Sequence, residues 1–178
     1  MENKFSKNDT VVYGKNGICL VEDIKTMKFG MDSGTYYILK PMSNKASTVY
    51  VPVDKESLVS KMRGVLTKEQ IDDILTKDCV DSLEWPENKI ERNDIFSGII
   101  SRCDTRELLM LIKCLYLKKQ EKQNSGKQLS SSDDGLLKMA EKLIDEEFSL
   151  SLGCSTEAVG EYIRKKLIPN KDKDRFRK

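Results

Sequence analysis

The 178-residue chain contains no histidine. That absence excludes Ser-His and Cys-His nucleophile pairs and every histidine-ligated metal site. Its five cysteines (Cys19, Cys79, Cys103, Cys114 and Cys154) are scattered, odd in number and never spaced as CxxC. Neither a disulfide framework nor a cysteine-only zinc site is expected. A GxxxxGKS/T phosphate loop is missing, and Gly14 and Gly17 do not form GxGxxG. No apolar run approaches the ~20 residues needed to cross a bilayer, and Met1–Phe5 lacks the apolar core of a signal peptide. The expectation is a cytosolic protein with no membrane, metal or cofactor. Carboxylates are plentiful, so acid/base chemistry by an Asp/Glu pair stays formally open. They sit, however, where helix starts and solvated faces want them, and no enzyme activity is expected.

What is present divides the chain. Net charge is only +2, but it alternates: residues 1–66 carry +3, 67–101 carry −5, 102–128 carry +4, 129–168 carry −3 and 169–178 carry +3. Any nucleic-acid contact must therefore be local, with a small salt slope. The first 66 residues read as four short strands: Thr10–Tyr13, Ile18–Ile24, Thr35–Leu39 and Thr48–Val53. Ile18, Leu20 and Val21 can face a core. Val49, Val51 and Val53 alternate with Tyr50 and Pro52, and Pro52 suits a sheet edge because it cannot donate to a ladder.

Beyond residue 66 the period changes to helical. Thr67-Lys68-Glu69-Gln70 is a capping box, followed by Ile71, Ile74 and Leu75. A helix is expected from Pro86 to Arg102, with Ile95, Phe96, Ile99 and Ile100 on one face. Asp104 opens a third helix, carrying Leu108, Leu111, Ile112 and Leu115. Its end, Lys118 to Lys122, suits the negative pole of the helix dipole. Ser130 opens a fourth helix with Leu137, Ala140, Ile144 and Phe148, which Gly153 stops. Thr156 is expected to cap the last, with Val159, Ile163 and Leu167. The fold class is therefore α+β: a small SH3/Tudor-like β-barrel over 1–66, a short helix and linker over 67–84, a helical bundle over 85–168, and a disordered charged tail over 169–178. The sole tryptophan, Trp85, opens the bundle. It suits core packing or an exposed anchor for a partner.

The order of these segments resembles a known family. Phe5…Asp9-Thr10-Val11-Val12-Tyr13…Gly17…Val21…Ile24, then Tyr37-Ile38-Leu39-Lys40, then Val49-Tyr50-Val51-Pro52, is similar to the N-terminal module of CarD/CdnL-type bacterial transcription regulators. The transcription-repair coupling factor shares this module. The helical half adds Trp85 with Arg92, then Asp104, Lys113-Cys114-Leu115, Leu129-Ser130-Ser131-Ser132-Asp133, Ala140 and Leu143. Where family members carry Tyr-Pro-x-His-Gly, this chain has Tyr13-Gly14-Lys15-Asn16-Gly17. Where basic residues often follow the acid of the Leu-Ser-x-x-Glu motif, it has Asp134-Gly135.

The resemblance implies a monomeric, nucleoid-associated accessory protein of RNA polymerase. Its first domain would bind the polymerase β subunit, here through Tyr50, Val49 and Val51, with Lys25 and Lys28 in the adjoining loop. Its helical domain would reach the upstream edge of the promoter bubble, reading DNA without sequence specificity. There Trp85 would wedge into the minor groove, with Lys89, Arg92 and Lys113 on phosphates. The alternative is a protein-interaction adaptor of the same architecture with weak or no DNA contact.

Overall fold

The computed structural model describes residues 4–29, 32–77 and 83–167. The expected disordered tail and Cys79 lie outside them. The chain divides into two compact units. Unit 1 comprises residues 1–65 with 101–103, and unit 2 comprises 66–100 with 104–178.

Unit 1 holds β1 (Thr10–Tyr13), β2 (Ile18–Phe29), β3 (Asp32–Pro41), β4 (Val49–Pro52), a short helix α1 (Glu56–Val59) and β5 (Met62–Gly64). They form one antiparallel sheet in the order β4-β3-β2-β1-β5. The expected barrel is not closed. Among the described residues β4 and β5 do not pair with each other, and the sheet keeps two edges. Five strands replace the expected four, because β5 completes the sheet beside β1 with Val12 opposite Arg63.

The turn between β1 and β2 depends on its glycines. Gly14 and Gly17 adopt φ of +48° and +63°, a region that residues with a Cβ rarely enter. Gly17 donates to the Gly14 carbonyl at 3.0 Å, while Tyr13 donates to that of Gly17 at 2.9 Å. Alternation along the strands then sends Val11, Cys19, Val21, Tyr37, Leu39 and Val51 into a core that also takes Met62 from β5. Leu20, expected inside, is exposed. It lies opposite Thr10 and Lys40 on the outward face, and Cys19 takes the inner position. An extra residue between Val21 and Asp23 forms a bulge. Past it, β2 and β3 run on as a long arm to Phe29 and Asp32.

Unit 2 contains α2 (Lys68–Lys77), α3 (Lys89–Arg102), α4 (Thr105–Asn124), α5 (Ser131–Leu152) and α6 (Thr156–Leu167). The capping box forms as expected. Thr67 N–H donates to Gln70 Oε1 at 2.8 Å, and Gln70 N–H donates to Thr67 Oγ1 at 3.3 Å. Ahead of it, Leu66 is anchored on α5: its N–H reaches Glu147 Oε1 at 3.1 Å, and its carbonyl accepts from Ser151 Oγ at 2.6 Å. The middle of α2 is tied to α6 through Asp72, which accepts from Tyr162 Oη and from Lys166 Nζ at 2.8 Å. These contacts fold residues 66–77 into the helical unit.

Asp104 caps α4, accepting from the N–H groups of Arg106 and Glu107 at 3.0 Å each. Asp104→Ala should cost about 1 kcal/mol, read as an earlier urea midpoint with an unchanged slope. Ser130 caps α5, and Gly153 ends it in the left-handed conformation with φ +64°. Two helix starts differ from expectation. α3 begins at Lys89, because Asn88 Oδ1 accepts from Ile90 and Glu91 at 2.9 and 3.2 Å and so fixes the first turn there. Pro86 precedes the helix. α6 begins at Thr156, leaving Ser155 in the flanking position. Phe96, Leu111, Leu115, Leu137, Ile144 and Phe148 lead the core. Ile95 points outward, 43% exposed, one position off the stripe formed by Arg92, Phe96, Ile99 and Ile100. No helix among the described residues is long and apolar enough to cross a membrane.

Candidate interaction surfaces

In unit 1 the strand carrying Tyr50 is an edge: β4 pairs with β3 on one side, and among the described residues nothing pairs on the other. Its open backbone groups can take a further strand. The register places Tyr37 opposite Val51 and Leu39 opposite Val49, so both valines face inward. Val51 is fully buried and Val49 packs against the core. Of these two predicted contact residues, the strand therefore offers backbone only.

Tyr50 projects to the outer face and is 42% exposed. It does not stand alone. Phe29, from the end of the β2–β3 arm and 45% exposed, lies 5.3 Å from the Tyr50 ring and 5.1 Å from that of Tyr36, edge-on to both. Such pairs add ~0.5–1.5 kcal/mol beyond area burial, so three strands share one ordered aromatic patch. Gly34 lies beside it: a Cβ there would touch the Tyr36 ring at an ordinary contact distance of 3.4 Å.

Lys25 and Lys28 belong to β2 rather than to a loop. Lys25 stands opposite Tyr36 and shares the aromatic face. Lys28, three residues on, points to the other face. Phe29 was missed in the sequence because the arm past Ile24 has solvent on both sides and shows no apolar alternation.

In unit 2, Trp85 is half-buried. Its ring packs edge-on to Phe96 at 6.0 Å, with the Arg92 guanidinium 4.3 Å and Lys118 Nζ 5.4 Å from its centroid. Arg92, predicted to hold phosphate, is only 6% exposed. Its Nε and Nη2 donate to the two oxygens of Asp133 at 3.0 and 3.2 Å. Its Nη1 donates to the carbonyls of Pro86 and Glu87 at 2.8 and 3.3 Å. The guanidinium is thus committed to binding the Trp85 segment onto α3 and α5, and phosphate cannot reach it without breaking those bonds. Burial alone would raise the Asp133 carboxyl. Hydrogen bonds from Arg92 and Ser130, with the arginine's charge, outweigh it and hold that carboxyl below its ordinary value.

Beside the indole lies a polar hollow of about 340 Å³, to which α4 and the chain after it contribute Lys118, Glu121, Lys122, Ser125 and Lys127. Lys118 pairs with Glu121 at 3.0 Å. Lys122 and Lys127 are the cations that sequence reasoning overlooked here. Lys122 belongs to the helix-end cluster that reads as dipole compensation, and Lys127 lies past the helix end. Ile90, 75% exposed, sits in the first turn of α3. Lys89 is exposed in that same turn. Lys113 is elsewhere, lining a second cavity with Arg106 and Arg164. Asp134, at a position where the resembled family often has a base, pairs with Lys138 at 2.7 Å and Lys119 at 3.8 Å.

Comparison of the chain with curated proteins gives no match. Comparison with family models does: residues 5–63 match the CarD-like/TRCF RID domain, and the match spans β1 to β5 as far as Arg63. The sheet of unit 1, with its open edge and aromatic face, is accordingly the part of the chain that is similar to the CarD-like/TRCF RID domain.

Proposed function

We propose that the chain is a non-enzymatic transcription regulator. In this reading unit 1 binds the RNA polymerase β subunit through the β4 edge and the Phe29–Tyr36–Tyr50 patch, and unit 2 meets promoter DNA at the upstream edge of the bubble. The observation that carries it is the coincidence, within the RID module, of an unpaired strand edge with exposed aromatic rings. Backbone pairing supplies affinity in such an arrangement, and side chains beside the strand supply specificity.

The DNA-facing half of the proposal rests on Trp85, whose half-exposed ring is held rigid by Arg92 and Phe96. A pre-positioned aromatic loses little freedom when it enters a partly unstacked base step. Lys122 and Lys127 replace Arg92 and Lys113 as the phosphate ligands, joined by Lys89. Trp85→Ala should shift the lifetime of the open promoter complex about tenfold, equivalent to ~1.4 kcal/mol, in a reconstituted polymerase assay. An unchanged lifetime, with far-ultraviolet dichroism intact, would remove the wedge from the proposal.

The adaptor reading, in which unit 2 contacts no DNA, is favoured by the acids paired with Lys118 and Lys119. The same assay across a salt series separates the two. Lys122→Gln with Lys127→Gln should flatten the log-log salt slope by about 2 if both hold phosphate, and leave it unchanged for an adaptor.

A further inference from the structure

Unit 2 also contains a cavity of about 730 Å³ on the side of α4 that carries Lys113, enclosed by α2, α4, α5 and α6. That volume falls within the range of small-molecule sites. Its walls are mainly apolar, from Leu109, Met110, Ile112, Ile144 and Ile163. Gly160 borders it, and a Cβ built there would meet nothing within 4 Å.

The charges around this space are not evenly placed. Arg106, Lys113 and Arg164 are exposed, whereas Glu141 and Asp145 are half-buried. The cavity is therefore basic at its rim and acidic within. Asp145 has neither an ion pair nor a hydrogen bond among the described residues, and the charges that act on it are the acids Glu141, Glu146 and Glu157. From the other elements α4 brings Arg106, Lys113 and Tyr116, α6 brings Glu157 and Arg164, and α2 brings only Ile74.

We propose that this cavity is a binding site for a small organic cation, an ammonium carried on an apolar body, with Asp145 as the counter-ion. The ammonium supplies the positive partner that Asp145 lacks and can share a proton with Glu141. Tyr116, which lines the cavity and is hydrogen-bonded to Glu141, offers its ring face to the charge. The apolar body lies along Leu109, Met110 and Ile163 toward the open space at Gly160. Burial, followed by repulsion from Glu141, Glu146 and Glu157, pushes the Asp145 carboxyl up to about 6. Affinity for a cation should therefore rise as pH passes upward through that value and level off above it.

Calorimetric titration of the full chain with 4-phenylbutylamine, 4-phenylbutan-1-ol and 4-phenylbutyrate tests this. The amine should bind at pH 7.5, at least about tenfold more tightly than the alcohol, and about tenfold more weakly at pH 5. Gly160→Leu, which fills the space, should abolish binding. Asp145→Asn should reduce the amine to the level of the alcohol. Both variants should melt no lower than the parent, since one replaces a helical glycine and the other removes like-charge repulsion. Failure of the amine to bind, equal affinity for amine and alcohol, preference for the carboxylate, or binding that survives Gly160→Leu would each overturn the proposal.

Discussion

Asp133→Ala should destabilise the helical unit by about 3–5 kcal/mol, the usual consequence of leaving one member of a buried ion pair alone. Arg92 and Asp133 keep only 7% and 3% of their side-chain surface exposed. The substitution leaves a guanidinium at 6% exposure with two carbonyls and no counter-charge. Chemical denaturation measures the loss. The protein's one tryptophan reports the site, since its indole stacks on that guanidinium and should redden in emission when the arginine swings out. Replacing both partners, Arg92→Met with Asp133→Leu, should restore most of the stability, because matched apolar groups of similar volume avoid the desolvation cost. The pH response follows from the depressed Asp133 carboxyl. A folded-state value below the ordinary one adds stability above about pH 3.8. That stability is lost as pH falls below 3.8 and through the folded-state value. The parent should show this acid transition, and Asp133→Asn should lack it.

Phe29→Ala and Tyr50→Ala should each weaken binding to the isolated polymerase β subunit by about 30-fold or more, the ~2 kcal/mol of a buried aromatic anchor. Both rings are more than 40% exposed, so neither supports the core, and the fold should survive. Each also orders the other, and the double variant should lose less than the sum of the two. Lys28→Ala is the control: its side chain leaves the opposite face of β2, and affinity should change by less than about twofold. If all three variants bind alike, recognition proceeds through the backbone edge alone. A proline in place of the exposed Tyr50 would then be the decisive change.

Features written within four residues were legible in the sequence. Thr67 with Gln70, Asp104, Ser130 and Gly153 all function as their spacing indicates, because a cap is a local arrangement. Tyr50 was legible for a similar reason: alternation with three valines tells which side it must face. Features that need a distant partner were not. The three residues Met62-Arg63-Gly64 carry no strand signal of their own and become β5 only beside Val11–Tyr13. Arg92 looked like a phosphate ligand because its acid stands 41 positions away, beyond the rest of α3 and the whole of α4. The resemblance placed Arg92 and Asp133 in order, and the structure supplies the reason: they are one ion pair. The open sheet edge likewise depends on which strands come together, which short strands do not encode singly.

The bulge in β2 acts as a phase shifter for the module. Val21 pairs with Leu39 and Asp23 with Ile38, so Glu22 is the added residue. Everything beyond it is set half a repeat away from the core-bound half of the strand. Were the ladder to run on without the bulge, with Glu22 opposite Ile38, the arm would turn over, carrying Phe29 to the side now occupied by Lys28 while Tyr36 and Tyr50 stay where they are. The aromatic patch would come apart without any change to an aromatic residue. In this module one unpaired residue decides which side of the sheet Phe29 faces.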